Sequence, residues 1–225
     1  MTTAREQILQ AVRDASGRGE HTADSVEQIL RESEMLLDGI DICRPALRLI
    51  DIVDSFMARV SGPKVGASID RIASLSQLPT AVARYLAANA KPAAITLQPT
   101  SPLLGLDWVA AGVTPVRDRD DGVVVGLARW GIAETGSIVV HSAPDMPILH
   151  NFLCSTHIVA VPTQRILRHL EDYAEAARIA GDPAPRNACL ITGASGTTDI
   201  EGSLVKGAHG PRELCVILVD GVVQV

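Results

Sequence analysis

HIVAVPTQRILRHLEDYAEAARIAGDPAPRNACLIT, residues 157–192, is the stretch that decides the fold. Short runs rich in β-branched residues stand at its two ends, His157–Val161 and Cys189–Thr192, and predict buried strands. Between them apolar residues recur at helical spacing over Gln164–Ala180, and Gly181 closes the predicted helix. A helix of that length between two strands predicts that the strands pair in parallel.

Similar elements flank this unit on both sides. Further strands are predicted at Ala93–Leu97, Gly122–Gly126, Ser137–His141 and Leu214–Val219, and a helix at Pro79–Asn89. Of the 225 residues 47% are hydrophobic but only 3% are aromatic, so the core is aliphatic, as in sheets covered by helices on both faces. The pattern predicts a three-layer α/β/α fold with a mostly parallel sheet.

The N-terminal part differs from the rest because it reads as helices alone. Apolar residues at helical spacing predict a first helix, a capping box at Ser25 and Gln28 opens a second over Val26–Leu37, and a third covers Leu47–Val60. We assign residues 1–60 to a helical N-terminal segment packed on the main domain, and residues 61–225 to the α/β domain. The length favours a single globular unit overall.

Composition excludes several classes of partner. The formal net charge of −6 is spread along the chain, which disfavours nucleic acid and anionic lipid as ligands. No apolar run reaches the roughly 20 residues of a membrane span, and the N-terminus lacks a signal-peptide core, so we expect a cytoplasmic protein. The four cysteines, Cys43, Cys154, Cys189 and Cys215, are too far apart for an iron–sulfur or structural zinc motif, so no metal or cofactor is predicted in this chain.

Two glycine-containing loops hold the residues that suggest chemistry. In the first, Gly131–Ser137, Glu134 acts as a base or nucleophile, or else caps a helix or pairs with Arg129. The second, Gly193–Pro211, follows a predicted strand and precedes a predicted helix, an order that exposes backbone N–H groups to an anion. We expect the two loops to meet at one edge of the sheet, with the second at the carboxyl end of its strand.

Within the second loop each polar residue has two interpretations. Ser195, Thr197 and Thr198 are natural N-cap residues, and Asp199 either serves the site or stabilises the helix dipole. His209 precedes a Gly-Pro turn that either presents its imidazole to a pocket or is stabilised by it.

Other motifs give weaker signals. His150, Cys154 and His157 would form a metal-binding stripe on a continuous helix, but His157 opens a predicted strand, which breaks that geometry. The chain has neither a Gly-x-Gly-x-x-Gly motif nor a Walker lysine, so no nucleotide site is predicted. Its Gly-x-Ser-Gly sequence lacks the spacing of a serine hydrolase elbow.

Four segments taken together resemble one known family. They are Gly-Ile-Ala-Glu-Thr-Gly (131–136), Asn-Phe-Leu-Cys-Ser-Thr-His-Ile (151–158), Gly-Ala-Ser-Gly-Thr-Thr-Asp-Ile-Glu (193–201) and Gly-Ala-His-Gly-Pro (207–211). In this order and spacing they resemble the LUD domain family, and within it the bacterial lactate utilization protein C family, over about residues 90–220. The resemblance implies a fold similar to the sugar-phosphate isomerase and CoA-transferase class.

The resemblance also implies a function and a set of partners. It implies a subunit that takes part in the oxidation of L-lactate to pyruvate together with partner proteins, and iron–sulfur clusters are expected only in those partners. The alternative is an independent enzyme of the isomerase or CoA-transferase type, acting on a small carboxylate, phosphate or acyl-CoA through Glu134. A third possibility is a scaffold whose pocket no longer binds a ligand. A small carboxylate ligand and a homodimer are further expectations.

The family motifs, matched position by position to this sequence, imply two sets of site residues. The catalytic candidates are Glu134, Asp199, Glu201 and His209. The substrate-binding candidates are Thr135, Gly136, Gly193, Ser195, Gly196, Thr197, Gly210 and Arg212.

The chain departs from the family pattern in the second loop. The family loop usually reads Gly-Pro-Ser-Arg-Thr, whereas Ala194 and Gly196 stand here in place of the proline and the arginine. Cys154 also stands where a proline is common. The replacement removes a guanidinium that can pair with a carboxylate or phosphate. If that arginine holds substrate in the family, this chain is weakened, is specialised differently, or uses Arg212 or Lys206 in its place.

Overall fold

The structure is a computed structural model. It describes residues 3–16, 23–38, 44–47, 51–117, 122–181, 185–198, 202 and 204–223. Within these residues the helices are α1 Ala4–Ala15, α2 Ala23–Asp38, α3 Ile52–Ser61, α4 Leu78–Ala88, α5 Ser101–Leu104 and α6 Asp172–Ala180. The strands are β1 Ser68–Ile72, β2 Ala94–Leu97, β3 Thr114–Val116, β4 Val123–Leu127, β5 Trp130–Ile132, β6 Ser137–His141, β7 Thr156–Pro162, β8 Ile166–Leu167, β9 Ala188–Ile191, β10 Gly196–Thr198, β11 Leu204–Lys206 and β12 Glu213–Val219.

The chain divides into two compact units, Met1–Pro45 and Ala46–Val225. We assigned residues up to 60 to the N-terminal segment, but α3 belongs to the second unit because its Phe56 and Val60 are buried in that unit's core. The packing of the N-terminal segment on the main domain stays a prediction.

The first unit contains α1 and α2. A capping box starts α1, in which the Thr3 hydroxyl accepts from the Glu6 amide and the Glu6 carboxylate accepts from the Thr3 amide. The capping box predicted at Ser25 and Gln28 is wrong, because α2 already begins at Ala23. The Gln28 side chain instead donates to Glu32, one turn further along the helix.

A parallel sheet of six strands, counted over the described residues, forms the centre of the second unit. Its strand order is β1-β12-β7-β4-β2-β3. Every residue of β4 and β7 is buried, which explains their nearly unbroken runs of valine, isoleucine and alanine. In register, Val159 of β7 lies opposite Val216 of β12 and Gly126 of β4.

The two faces of this sheet are covered differently. On one face Leu78, Val82 and Leu86 of α4 pack in a cluster that includes Ile158 and Ile217. On the other face α3 packs in a cluster with Val159 and Val161. The predicted α/β fold with a mostly parallel sheet is confirmed, and the second face carries an additional small sheet beside α3.

The additional sheet has the order β8-β5-β6-β9. Its β5 and β6 are antiparallel, β9 is antiparallel to β6, and β8 is parallel to β5. Trp130, Ile132 and Val139 of this sheet are buried, and Tyr173 and Ala177 of α6 pack against them. The second unit therefore adds a sheet and a helix outside its main sheet.

Three sequence predictions for this region are wrong. The strands β7 and β9 do not pair, because β9 lies in the additional sheet. As an edge strand β9 is only partly buried. The predicted helix Gln164–Ala180 begins only at Asp172, because Ile166 and Leu167 pair with β5 as β8.

The segment after Gly193 also differs from the prediction. Instead of a helix, the described residues form the antiparallel hairpin β10–β11, in which Thr197 lies opposite Val205. The hydroxyls of Thr197 and Thr198 are therefore not N-caps; both residues are exposed on the hairpin.

The described helices were compared with the length and hydropathy of a membrane span. Among the described residues, no helix combines the length and the apolar content needed to cross a membrane. The cytoplasmic location stays a prediction.

Candidate functional site

Glu134 lies in the turn between β5 and β6, and its groups are bound to the segment before α6. Its amide donates to the carbonyl oxygen of Arg168 at 3.1 Å. Its carboxylate oxygen Oε2 accepts from the Leu170 amide at 3.2 Å and lies 3.4 Å from Nδ1 of His169. The Glu134 side chain is only 20% exposed. The carboxylate thus contacts the turn that leads into α6. It does not cap that helix, because α6 begins at Asp172 and Glu171 is its N-cap residue.

Three hydroxyl groups connect the Glu134 turn to the Gly193 loop. The Ser137 hydroxyl lies 2.6 Å from that of Thr135 and 2.6 Å from that of Thr192. The contact follows from topology, because β6 and β9 are antiparallel and the start of one meets the end of the other. The two loops are therefore neighbours, as predicted.

The position of this junction differs from the prediction. A Cβ atom at Gly136 would lie 2.8 Å from Cγ of Arg59, and one at Gly193 would lie 2.7 Å from the carbonyl oxygen of Val65. Both contacts are with the end of α3 and the turn that leads into the amino end of β1. The junction thus lies at the amino edge of the parallel sheet and not at the carboxyl edge, because β9 is not part of that sheet.

The His209 segment packs against the Gly193 loop through the backbone of Ser195. The Ser195 amide donates to the Pro211 carbonyl at 2.8 Å, and the Gly207 amide donates to the Ser195 carbonyl at 2.9 Å. A Cβ atom at Gly210 would lie 3.2 Å from that of Ser195. The His209 side chain is exposed. The structure therefore presents an imidazole to solvent beside the loop.

Arg212 joins this region to the main sheet. Its amide donates to the Ser155 carbonyl at 2.8 Å, just before β7. Its aliphatic stem fills the space beside Gly207, where any Cβ atom would collide with it. Arg212 and Lys206 are both exposed, so both cations are available near the loop that lacks the family arginine.

The predicted site residues therefore fall into two neighbouring groups. Glu134, Thr135 and Gly136 form one group beside Gly193, and Ser195, Gly196, His209, Gly210 and Arg212 form the other. Thr197 lies further out on β10. Asp199 and Glu201 lie outside the described residues. The chemical role of every one of these residues stays a prediction.

Sequence reasoning missed a buried polar row on the main sheet. Thr96 of β2 and His157 of β7 flank Val124 of β4 in register, and both are buried. Gln98 follows β2, and its side-chain oxygen accepts from the Leu127 amide at 2.8 Å. Gly126 makes room for two of these side chains, because a Cβ atom there would lie 2.9 Å from Oε1 of Gln98 and 3.3 Å from Nε2 of His157. Only the position of His157 in a quoted motif gave any signal in the sequence.

The imidazole of His157 is neutral at pH 7 in the folded chain. It is fully buried, and neither ring nitrogen has a hydrogen-bond partner in the part of the chain that the structure describes. Burial, with a smaller effect of nearby His150, lowers the pKa of His157 to about 4. An unpaired imidazole N–H at this depth is costly, by about 1–3 kcal/mol.

His150, Cys154 and His157 do not share a helix. His150 lies in a short 3-10 turn, Ile148–Asn151, whereas His157 is the second residue of β7. Burial raises the pKa of the Cys154 thiol to about 12, so the sulfur is protonated at neutral pH. Over the described ranges no three His, Cys, Asp or Glu residues are grouped to hold a metal ion. The absence of a metal or cofactor from this chain stays a prediction.

An aromatic cluster ties the additional sheet to α6. Nε2 of His141 lies 2.6 Å from the Tyr173 hydroxyl oxygen, and both rings contact Trp130. The guanidinium groups of Arg129 and Arg165 lie 5.5 and 5.7 Å from the centre of the Trp130 ring. Burial, together with nearby Arg129, lowers the pKa of His141, and burial raises the pKa of Tyr173. The hydrogen bond therefore joins a neutral imidazole and a protonated phenol.

Comparison with known proteins identifies the family. The family model LUD domain matches residues 120–219. A Deinococcus radiodurans protein named lactate utilization protein C is 31% identical over 157 residues, 65% of this chain and 70% of that protein. The chain belongs to the LUD domain family. The resemblance inferred from the four motifs is thereby confirmed.

Other relatives of this LUD domain protein extend the comparison. Lactate utilization protein C of Bacillus subtilis is 34% identical over 134 residues, 52% of this chain and 55% of that protein. An uncharacterized protein of Neisseria meningitidis is 32% identical over 92 residues, 41% of this chain and 40% of that protein. The chain thus spans 70% of the length of the Deinococcus radiodurans relative but only 55% and 40% of the length of these two.

A solved structure shares the fold. The crystal structure of a DUF162 family protein from Deinococcus radiodurans matches with a TM-score of 0.53 and 26% sequence identity. The match covers 75% of this chain and 96% of that chain. It supports the α/β architecture described above.

The close approach of Gly193 to Val65 predicts the effect of a methyl group there. Gly193 has a φ of +91° and its Cβ position lies 2.7 Å from a backbone oxygen, whereas Gly112 has a φ of +78° and an open Cβ position. Gly193→Ala adds steric overlap to backbone strain, while Gly112→Ala adds strain alone. We expect Gly193→Ala to lower the free energy of unfolding by at least about 1 kcal/mol more than Gly112→Ala, measured by urea denaturation. Equal losses would show that the loop does not pack on this turn.

Neutral, buried His157 predicts a specific dependence of stability on pH. Its pKa is about 4 in the folded chain and about 6.5 when unfolded, so the unfolded chain binds the proton first. Above about pH 6.5, His157 is neutral in both states and does not change the free energy of unfolding with pH. As the pH falls from about 6.5 toward 4, protonation of the unfolded chain lowers the free energy of unfolding. Between pH 7 and pH 5 we expect His157→Leu to lose about 2 kcal/mol less stability than the wild type. His209→Leu, at an exposed histidine, is the matched control, and an unchanged pH slope in His157→Leu contradicts the burial of a neutral imidazole.

Proposed function

We propose that this chain is a lactate utilization protein C-like subunit that takes part in the oxidation of L-lactate to pyruvate together with iron–sulfur partner proteins. The observation that carries the proposal is the 31% identity over 157 residues to a protein named lactate utilization protein C. The oxidation removes two electrons and two protons from the substrate. We propose that the clusters of the partners accept the electrons. This chain binds a small carboxylate or a partner.

The surface beside Ser195 supports this assignment. The exposed side chains of His209, Lys206 and Arg212 lie on or beside the segment that is hydrogen-bonded to the Gly193 loop. A guanidinium can bind a carboxylate with two parallel hydrogen bonds, so Arg212 supplies here the chemistry that the missing family arginine would supply. We therefore propose that this surface receives the carboxylate or an acidic group of a partner.

The contacts of Glu134 give its carboxylate a structural partner. A general base or nucleophile needs a carboxylate oxygen that reaches the substrate. Oε2 of Glu134 accepts from the Leu170 amide, so the independent-enzyme alternative requires this role of Oε1. The contact of Oε2 explains the position of Glu134 in the turn between β5 and β6 without any catalytic role.

Growth of the source organism tests the proposed function. We expect deletion of the gene to abolish growth on L-lactate as the sole carbon source and to leave growth on pyruvate unchanged, because pyruvate enters after the proposed step. The wild-type gene supplied in trans restores growth on L-lactate. Undiminished growth of the deletion strain on L-lactate contradicts the proposal.

Complementation of the deletion strain with a gene that encodes the Glu134→Gln variant distinguishes the two roles of that residue. The amide oxygen of glutamine still accepts from the Leu170 N–H but cannot act as base or nucleophile. Restored growth on L-lactate fits the structural role. Failure to restore growth, with folded protein at the wild-type level, favours the independent-enzyme alternative.

A further inference from the structure

A cavity of about 690 Å³ opens beside the main sheet, with Thr96 of β2 and Val124 of β4 among its lining residues. Leu149 and Cys154 line it from the segment before β7, and Leu104 lines it from α5. None of the described residues that line it belongs to the two motif loops, Gly131–Ser137 and Gly193–Pro211. Its volume lies within the roughly 300–1,000 Å³ range of small-molecule sites.

The walls of the cavity are mostly apolar. Leu104, Leu149 and Leu153 are among the lining residues and remain 58%, 60% and 55% exposed. Solvent exposure of three leucines around one cavity is unfavourable unless a ligand covers them, because each exposed methylene costs about 0.8 kcal/mol relative to a buried one. The cavity therefore favours a ligand with an apolar body.

One side of the cavity is polar. Thr96 is 4% exposed, and its hydroxyl has no hydrogen-bond partner among the described residues. Val116 of β3 lies opposite Thr96 in register, and Arg117 is the next residue along the chain. Thr96 and Arg117 both line the cavity.

The described walls of the cavity carry one permanent charge, and it is positive. Among the described residues that line the cavity there is no aspartate, glutamate or lysine, Arg117 is the one arginine and His150 is the one histidine. The guanidinium of Arg117, just after β3, and the unpaired hydroxyl of Thr96 on neighbouring β2 provide donors for the two oxygens of a carboxylate.

We propose that this cavity binds an amphipathic monocarboxylate whose aliphatic chain is longer than that of lactate. The carboxylate lies between the Thr96 hydroxyl and the Arg117 guanidinium. The chain covers Leu104, Leu149 and Leu153. This site is separate from the surface beside Ser195, and its occupancy does not depend on the function proposed above.

Isothermal titration calorimetry of the full chain with a series of straight-chain carboxylates tests the proposal. From butanoate to octanoate we expect saturable binding of one molecule per chain, tightening about threefold to fourfold with each added methylene, because each one is buried against the leucines. Octan-1-ol, which lacks the charge, binds at least about tenfold more weakly than octanoate, and octylamine, of opposite charge, does not bind measurably. L-Lactate binds more weakly than octanoate.

Two variants locate the binding. Thr96→Val replaces an unpaired hydroxyl by a methyl group of similar size, and Arg117→Gln removes an exposed charge, so both chains are expected to fold. Each weakens octanoate binding about tenfold. Arg186→Gln, at an exposed arginine that does not line the cavity, is the matched control and leaves the affinity unchanged.

Three results overturn the proposal. The first is the absence of saturable octanoate binding up to about 10 mM. The second is binding that neither Thr96→Val nor Arg117→Gln weakens, which places the ligand elsewhere. The third is equal affinity for octanoate, octan-1-ol and octylamine, which shows that the cavity recognises an apolar chain and not a carboxylate.

Discussion

The rest of the structure depends on the burial of β7 on both faces and along both edges. β12 and β4 satisfy its backbone groups on either side, and all of its residues are buried. A strand in this position requires apolar side chains on both faces, because no solvent reaches either one. Thr156 and His157 depart from this rule, and for His157 a lowered pKa with unpaired ring nitrogens is the physical consequence.

The burial of β7 also determines where the loops lie. Since α4 covers one face of the sheet, the chain that leaves β4 packs β5 and β6 on the other face beside α3. The turn at Glu134 and the end of β9 are then brought to the amino edge, where Ser137 joins them. Gly136 and Gly193 are needed there because α3 and the turn at Val65 leave no space for a Cβ atom. The motif glycines thus have a packing role that is independent of any ligand.

Sequence patterns predicted the positions of the strands better than which strands pair with one another. The runs at β2, β4, β6, β7 and β12 were found because β-branched residues concentrate there. The run at β9 is also short and apolar, so its place in another sheet could not be predicted from it. Ile166 and Leu167 fit the helical spacing of the residues that follow, so the sequence predicted a helix where the structure has β8. Serine and threonine after Gly193 suit a helix cap and a hairpin equally well.

The site was predicted only where its residues are close in sequence. The family motifs identified the Glu134 and Gly193 loops, but the hydroxyl contacts through Ser137 depend on the antiparallel pairing of β6 and β9. The row of Thr96, Gln98 and His157 depends on the register of three strands, and register is not encoded in any single stretch of the chain. The cavity beside Arg117 could not be predicted for the same reason.

Hydrogen exchange of the backbone amides of the intact chain tests the central role of β7 most directly. We expect the amides of β4, β7 and β12 to exchange only through global unfolding, because their hydrogen bonds lie in the buried centre of the sheet. The amides of β9 and of the β10–β11 hairpin exchange faster, through local opening, because these strands are only partly buried or exposed. Exchange in β7 as fast as in β9 would contradict the account.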